Sequence, residues 1–180
     1  MHNPSKLCPL ILISILILSI CHSTSSAPTA LAQQGLEVDC KAIVTRVVDG
    51  DTIYVRSEEG FKSGETFKVR FADVNAPELY TLEGQEAKSA LESLVDGKEV
   101  ILDVDDLYTY DRYGRVVAVV YLRVNESKLM NVNYWLVVNG YAEISDYNNE
   151  FDPYTWILYV EYVEEEENVT ITSTPASVLK

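Results

Sequence analysis

From Cys40 onward the chain is a succession of short β-branched runs cut by glycine-bearing turns, with one helix set among them. No other feature constrains the fold as tightly. Residues 42–48 read as a strand that stops at Asp49-Gly50, a turn signal, and residues 52–55 resume it. Glu58-Glu59-Gly60 and Ser63-Gly64 mark a second reversal. In the next run Phe67, Val69 and Phe71 alternate with Lys68 and Arg70, the period of a half-buried strand. Ala76-Pro77 closes it, because a residue before proline is pushed out of the helical region. Over residues 84–95, Ala87, Leu91, Leu94 and Val95 share one helical face, and Asp96-Gly97 ends the helix. Residues 100–104 and 116–124 are strands joined across 108–115, and 132–138 is a short apolar helix stopped by Asn139-Gly140. Residues 154–163 fit a strand or a helix equally. Three strands, a helix, two strands and a helix suggest an α+β fold, a five-stranded OB-fold-type β-barrel with packed helices, although periodicity alone supports only a small α+β or β-barrel domain.

The chain of 180 residues is long enough for one domain with a proper core. Its first 32 residues have the three-part layout of a secretory signal. A lysine lies at position 6, residues 7–20 are almost uninterrupted Leu and Ile, and Ala30-Leu31-Ala32 forms a cleavage signal. An apolar run of about 14 residues is short for a membrane span. The expectation is therefore a signal peptide over 1–32, a linker over 33–39, the folded domain over 40–163 and an acidic, Ser/Thr-rich disordered tail over 164–180. The expected location is extracellular; the alternative is anchoring by an uncleaved leader.

Cleavage would remove His2, His22, Cys8 and Cys21, leaving no histidine and Cys40 as the one cysteine. That excludes a Ser-His-Asp triad, a Cys-His nucleophile, a histidine base, Cys/His zinc sites and an internal disulfide. Chemistry must then rest on carboxylates, Arg, Lys, Tyr or a hard cation held by oxygens. The net charge is −14, so a positively charged exterior for capturing polyanions is absent.

Three polar clusters could carry chemistry. Asp49-Gly50-Asp51-Thr52 sets two carboxylates about a glycine at a strand end. Arg70 is followed by Asp73, Asn75, Ala76, Pro77 and Glu78, oxygen donors entering a proline-stiffened bend. Asp111-Arg112-Tyr113-Gly114-Arg115 is a polar loop before an apolar strand. Taken singly, each reads equally as a hairpin turn or a solvated strand edge.

Taken in order, and followed by Gly84-Gln85-Glu86-Ala87, Val132-Asn133 and Gly140-Tyr141-Ala142, they resemble the thermonuclease family, the staphylococcal-nuclease-like domain. The resemblance covers residues 40–144. It implies a Ca²⁺-dependent nuclease, or one using another divalent cation, that hydrolyses phosphodiester bonds of DNA and RNA to 3′-phosphate ends as a monomer. It implies Asp51, Asn75 and the Ala76 carbonyl as metal ligands. Arg70 would contact the scissile phosphate, Glu78 would position or deprotonate the attacking water, and Arg115 would stabilise the phosphorane and leaving group. At position 75 the family normally has aspartate, so Asn75 keeps an oxygen ligand but removes one charge. Asp73 is expected on the same strand face as Asn75, roughly 7 Å away. A catalytically silent OB-type nucleic-acid-binding domain is the alternative, and a leader-tethered structural protein the third reading.

Overall fold

The computed structural model describes residues 36–162. The leader, residues 33–35 of the linker, residue 163 and the tail over 164–180 lie outside the described residues, as do the expectations placed on them. Nine strands, two α-helices and one 3₁₀ turn run in the order β1 (Cys40–Asp49), β2 (Thr52–Gly60), β3 (Thr66–Phe71), β4 (Val74–Asn75), α1 (Leu82–Val95), β5 (Glu99–Val104), β6 (Val116–Asn125), β7 (Lys128–Asn131), α2 (Val132–Val138), β8 (Glu143–Ile144), the 3₁₀ turn (Pro153–Thr155) and β9 (Tyr159–Glu161).

The principal sheet is ordered β3-β2-β1-β5-β6-β7-β9, and β3 also pairs with β6. That pairing closes a five-stranded barrel from β3, β2, β1, β5 and β6, as the strand order predicts. The closing seam is parallel, with Val69, Arg70 and Phe71 opposite Val116, Val117 and Ala118, while the other pairings are antiparallel. Closure needs curved strands. β1 bends through irregularities in its pairing with β2 at Lys41/Ala42, Val44/Arg46 and Val47/Asp49. Val44, Val47, Ile53, Val55, Val69, Phe71, Leu102 and Val120 fill the interior at 1% exposure or less.

The long valine run of β6 lacks alternation because both of its faces are covered. Val116, Ala118, Val120 and Leu122 belong to the barrel core, whereas Val119 and Tyr121 pack with Ile101, Leu129 and Val160 in a second apolar cluster. The short strands β7 and β9 supply that cover. At the seam, buried Asn133 of α2 takes up backbone groups: its amide donates to the carbonyls of Ala72 and Ala118 (2.9 and 3.3 Å), and its oxygen accepts Val120 N–H (3.0 Å).

Helix α1 starts two residues before the expected position because Thr81 caps it, Oγ1 accepting Gly84 N–H at 3.0 Å. Its buried face is Gly84, Ala87, Leu91 and Val95. The ambiguous stretch 154–163 resolves, within the described residues, into the 3₁₀ turn and β9. Three short strands, β4, β7 and β8, had no counterpart among the expected elements.

Candidate active site

The site is assembled at the closing seam. Arg70 on β3 lies opposite Thr52 on β2 and Val117 on β6. The Asp49–Thr52 turn therefore sits on one side of Arg70 and the loop preceding β6 on the other. Gly50 makes the turn possible: a Cβ there would lie 2.6 Å from Ala76 Cβ and 2.8 Å from Ala87 Cβ, so the 76–78 bend and α1 close onto a bare backbone. Gly84 does the same at the helix start, where a Cβ would come within 2.2 Å of the Glu78 carbonyl oxygen. That oxygen accepts Thr81 N–H at 2.9 Å and Thr81 Oγ1–H at 2.8 Å. The helix cap and the Glu78 bend are thus one locked unit.

These elements border a cleft of about 690 Å³ whose lining includes Asp51, Arg70, Asn75, Ala76, Glu78 and Arg115. All six residues singled out in the sequence meet there. Asp51 is buried, and every oxygen of its carboxylate is engaged: Oδ2 accepts Ala76 N–H at 2.8 Å and lies 3.3 Å from Arg70 Nη2, while Oδ1 accepts the Thr52 hydroxyl at 3.0 Å. Burial pushes the Asp51 carboxyl above its ordinary range, and Arg70 and the Ala76 amide pull against it. Arg70 also donates to the Phe71 carbonyl at 2.7 Å, which fixes the plane of its guanidinium.

Arg115 is held from two sides. Its Nε donates to Asp111 Oδ2 at 2.6 Å and its Nη1 to Thr52 Oγ1 at 3.3 Å. Asp111 organises the loop, accepting the amides of Tyr113 (2.8 Å) and Arg115 (2.9 Å) on Oδ1. Burial acts against the ionised carboxylate, but those two amides and the guanidinium prevail and hold it below the usual range. Gly114 takes a positive φ of 72°, the turn that brings Arg115 back over the cleft. The exposed Tyr113 ring lies under the guanidiniums of Arg112 and Arg115, 4.7 and 5.4 Å from its centroid. Glu78 and Asn75 are exposed, and the Glu78 carboxylate has no protein partner among the described residues.

Asp73 departs from its expected place. It lies beyond the end of β3 with a positive φ of 52°, fully buried, so it shares no strand face with Asn75. Its Oδ1 instead accepts Tyr147 N–H (2.9 Å) and Asn149 Nδ2–H (2.6 Å). Sequence reasoning also missed Asp105, Tyr108, Tyr110, Tyr147, Asn148 and Asn149, which complete the cleft wall. Tyr108 and Tyr110 carried a signal, as aromatics just ahead of the Asp-Arg-Tyr-Gly-Arg loop; residues 147–149 lie where no periodicity is legible.

The donors that the resemblance assigns are hard oxygens on residues lining the cleft: the Asp51 carboxylate, the Asn75 amide and the Ala76 carbonyl. By their chemistry they fit a hard divalent cation. Among the described residues no three Asp, Glu, His or Cys side chains surround one point, so such an ion would rely on neutral oxygens for much of its shell.

A closed five-stranded barrel whose seam gathers a buried carboxylate, two braced arginines and a free glutamate defines the staphylococcal-nuclease type of OB barrel. The family described as staphylococcal nuclease homologue matches residues 68–169, and the chain belongs to it. The match begins after β2 and so leaves Asp51 outside it. The chain is 34% identical over 108 residues to a micrococcal nuclease of Shigella flexneri, covering 58% of each protein. It is 31% identical over 149 residues to an uncharacterised protein of Methanocaldococcus jannaschii, covering 70% of this chain and 68% of that one. It is also similar to endonuclease YhcR of Bacillus subtilis, 35% identical over 122 residues, which is 62% of this chain and 9% of that protein. The match thus spans little more than half of the Shigella relative and a small part of the Bacillus one.

Proposed function

We propose that the protein is a secreted, divalent-cation-dependent nuclease that hydrolyses phosphodiester bonds of DNA and RNA. The observation that carries this reading is the convergence of Arg70, Arg115 and the unpartnered Glu78 on the cleft that holds Asp51, Asn75 and Ala76. Membership of a family with relatives named micrococcal nuclease and endonuclease supports it.

A phosphodiester repels nucleophiles through its own negative charge, and that charge concentrates on the phosphoryl oxygens as a fifth oxygen approaches. Arg70, fixed by Asp51 and the Phe71 carbonyl, presents the remaining edge of its guanidinium to those oxygens. Arg115 offers the same planar fork from the opposite side of Thr52. Because both are braced beforehand, neither needs to reorganise as charge develops, which is the condition for lowering the barrier. Glu78 is exposed and unpartnered among the described residues, so its carboxylate is free to accept the proton of an attacking water. Asp51, Asn75 and the Ala76 carbonyl would hold the cation, which when bound supplies Lewis-acid neutralisation of the phosphate. Asn75 lowers the charge of that shell and weakens the hold on the ion. The exposed Tyr113 offers a ring face on which a base can stack.

The decisive experiment is degradation of single-stranded DNA and RNA by residues 33–180, with Ca²⁺ and with a chelator. Cation-dependent cleavage is expected. Binding of oligonucleotide without cleavage at any metal would favour the silent barrel. Secretion is checked separately by N-terminal sequencing of material from the medium, which should begin at Gln33.

A further inference from the structure

Two carboxylates outside the set assigned above are buried and half-satisfied. Asp73 is 0% exposed and Asp105 1%. Each uses Oδ1 to hold the segment that follows β8. Asp73 Oδ1 accepts from Tyr147 and Asn149, and Asp105 Oδ1 accepts Leu107 N–H at 3.0 Å and Glu150 N–H at 3.4 Å. The Asp73 carbonyl adds a bond from Ser145 N–H at 2.9 Å. Each Oδ2 is buried with no partner among the described residues. Burial pushes the Asp73 carboxyl above its ordinary range, the Tyr147 and Asn149 bonds oppose that, and the neighbouring Asp146 and Asp105 add to the rise; no lysine or arginine pairs with Asp73 or Asp105 among the described residues.

A buried carboxyl oxygen with nothing opposite it is costly, and two in one neighbourhood compound the cost. A bridging water would occupy one oxygen's hydrogen-bonding capacity but would not draw the two carboxyl groups to one point. A hard cation does both, since it takes carboxylate oxygens, backbone carbonyls and waters together. We propose that Asp73 Oδ2 and Asp105 Oδ2 are ligands of a second divalent-cation site, Ca²⁺ by donor chemistry, which fastens residues 145–150 to the barrel. With two carboxylates in the shell, the remaining positions fall to neutral oxygens and water, so the affinity belongs to the weak, millimolar class. Tyr147, Asn148 and Asn149 line the cleft, so the ion would stiffen one of its walls without touching substrate. The proposal does not depend on the nuclease reading.

The test is ion binding by a chain whose cleft ligand has been removed. Asp51→Asn is titrated with Tb³⁺, read by tyrosine-sensitised luminescence, and with Ca²⁺, read by thermal unfolding. A saturable Tb³⁺ signal displaced by Ca²⁺ is expected, with the unfolding midpoint rising about 4 °C at tenfold excess over the dissociation constant. Adding Asp105→Asn or Asp73→Asn should abolish both responses; each substitution keeps an oxygen acceptor for the loop amides. Circular dichroism in chelator establishes that each variant is folded, and if one is not, the other decides. If Asp51→Asn alone removes every response to Ca²⁺ and Tb³⁺, or if both Asp73→Asn and Asp105→Asn leave the responses intact, the site does not exist. If the two variants are stabilised in chelator and the Asp51→Asn parent gives no Tb³⁺ signal, the pair holds a water or a proton and the proposal fails.

Discussion

Replacing Asp103 by asparagine should make the protein more stable at neutral pH, by an amount that depends on pH in a defined way. Asp103 lies on β5, 8% exposed, with its Oδ2 accepting Glu37 N–H at 3.2 Å. Burial is the main influence on its carboxyl. The nearby charges of Asp39, Glu150 and Glu37 add to it, and the Glu37 amide opposes it only in part, so its pKa rises from 3.8 to about 7. A carboxyl whose folded value exceeds its unfolded one stabilises the fold only while protonated. That contribution is complete below about pH 4 and is lost as pH rises through about 7. At about 1.4 kcal/mol per pH unit, the full loss is about 4 kcal/mol. Asparagine keeps an oxygen to accept Glu37 N–H and never ionises. Urea unfolding of parent and variant between pH 4 and pH 8.5 should therefore show equal stability at pH 4, a gap that widens to about pH 7, and a plateau beyond. Comparing the two chains cancels contributions from the other raised carboxyls. A gap that is constant across the range, or a variant less stable at pH 8, would refute the reasoning.

Three further outcomes follow from the cleft. Arg70→Ala and Arg115→Ala should each slow cleavage by about 10²–10³-fold and Glu78→Gln by about 10²–10⁴-fold; single-turnover rates, with thermal unfolding as a control, would expose a wrong assignment if all three stay within about threefold of the parent. Asn75→Asp restores a charge beside Asp51 and should move the Ca²⁺ activation curve to lower concentration; an unchanged half-saturation point would remove Asn75 from the ligand set. Gly84→Ala sets a methyl group against the Glu78 carbonyl and should cost about 1–3 kcal/mol in urea unfolding, with a loss of activity at temperatures where the variant is still folded.

The parts of the fold legible in the sequence are those written by local chemistry. The Asp49-Gly50 turn, the alternation through Phe71 and the face of α1 all appear at their own positions, and the barrel follows from their order. The six residues that the family resemblance picks out each sit beside a turn or bend with its own residue signature, and the seam of the barrel gathers those turns around one cleft. The remainder is fixed from a distance. Residues 145–150 have no periodicity because Asp73 and Asp105, far away in sequence, hold them by side-chain acceptors. β4 and β8 are two residues each, too short for a pattern. Asp73 was misplaced because alternation was carried past Phe71, where the strand has already turned through a left-handed residue.

The parallel β3–β6 seam has a consequence for how the cleft is assembled during folding. Its partners are separated by α1 and β5, so pairing them demands a large loss of chain entropy before any contact rewards it. The β1–β2 and β2–β3 hairpins can form early and locally, yet they hold only Asp51 and Arg70 of the six residues. Arg70 meets Arg115 across Thr52 only when the last strand pair zips. The cleft is therefore complete only once the barrel has closed, so cleavage, if the proposed function holds, should return with barrel closure on refolding and not before it.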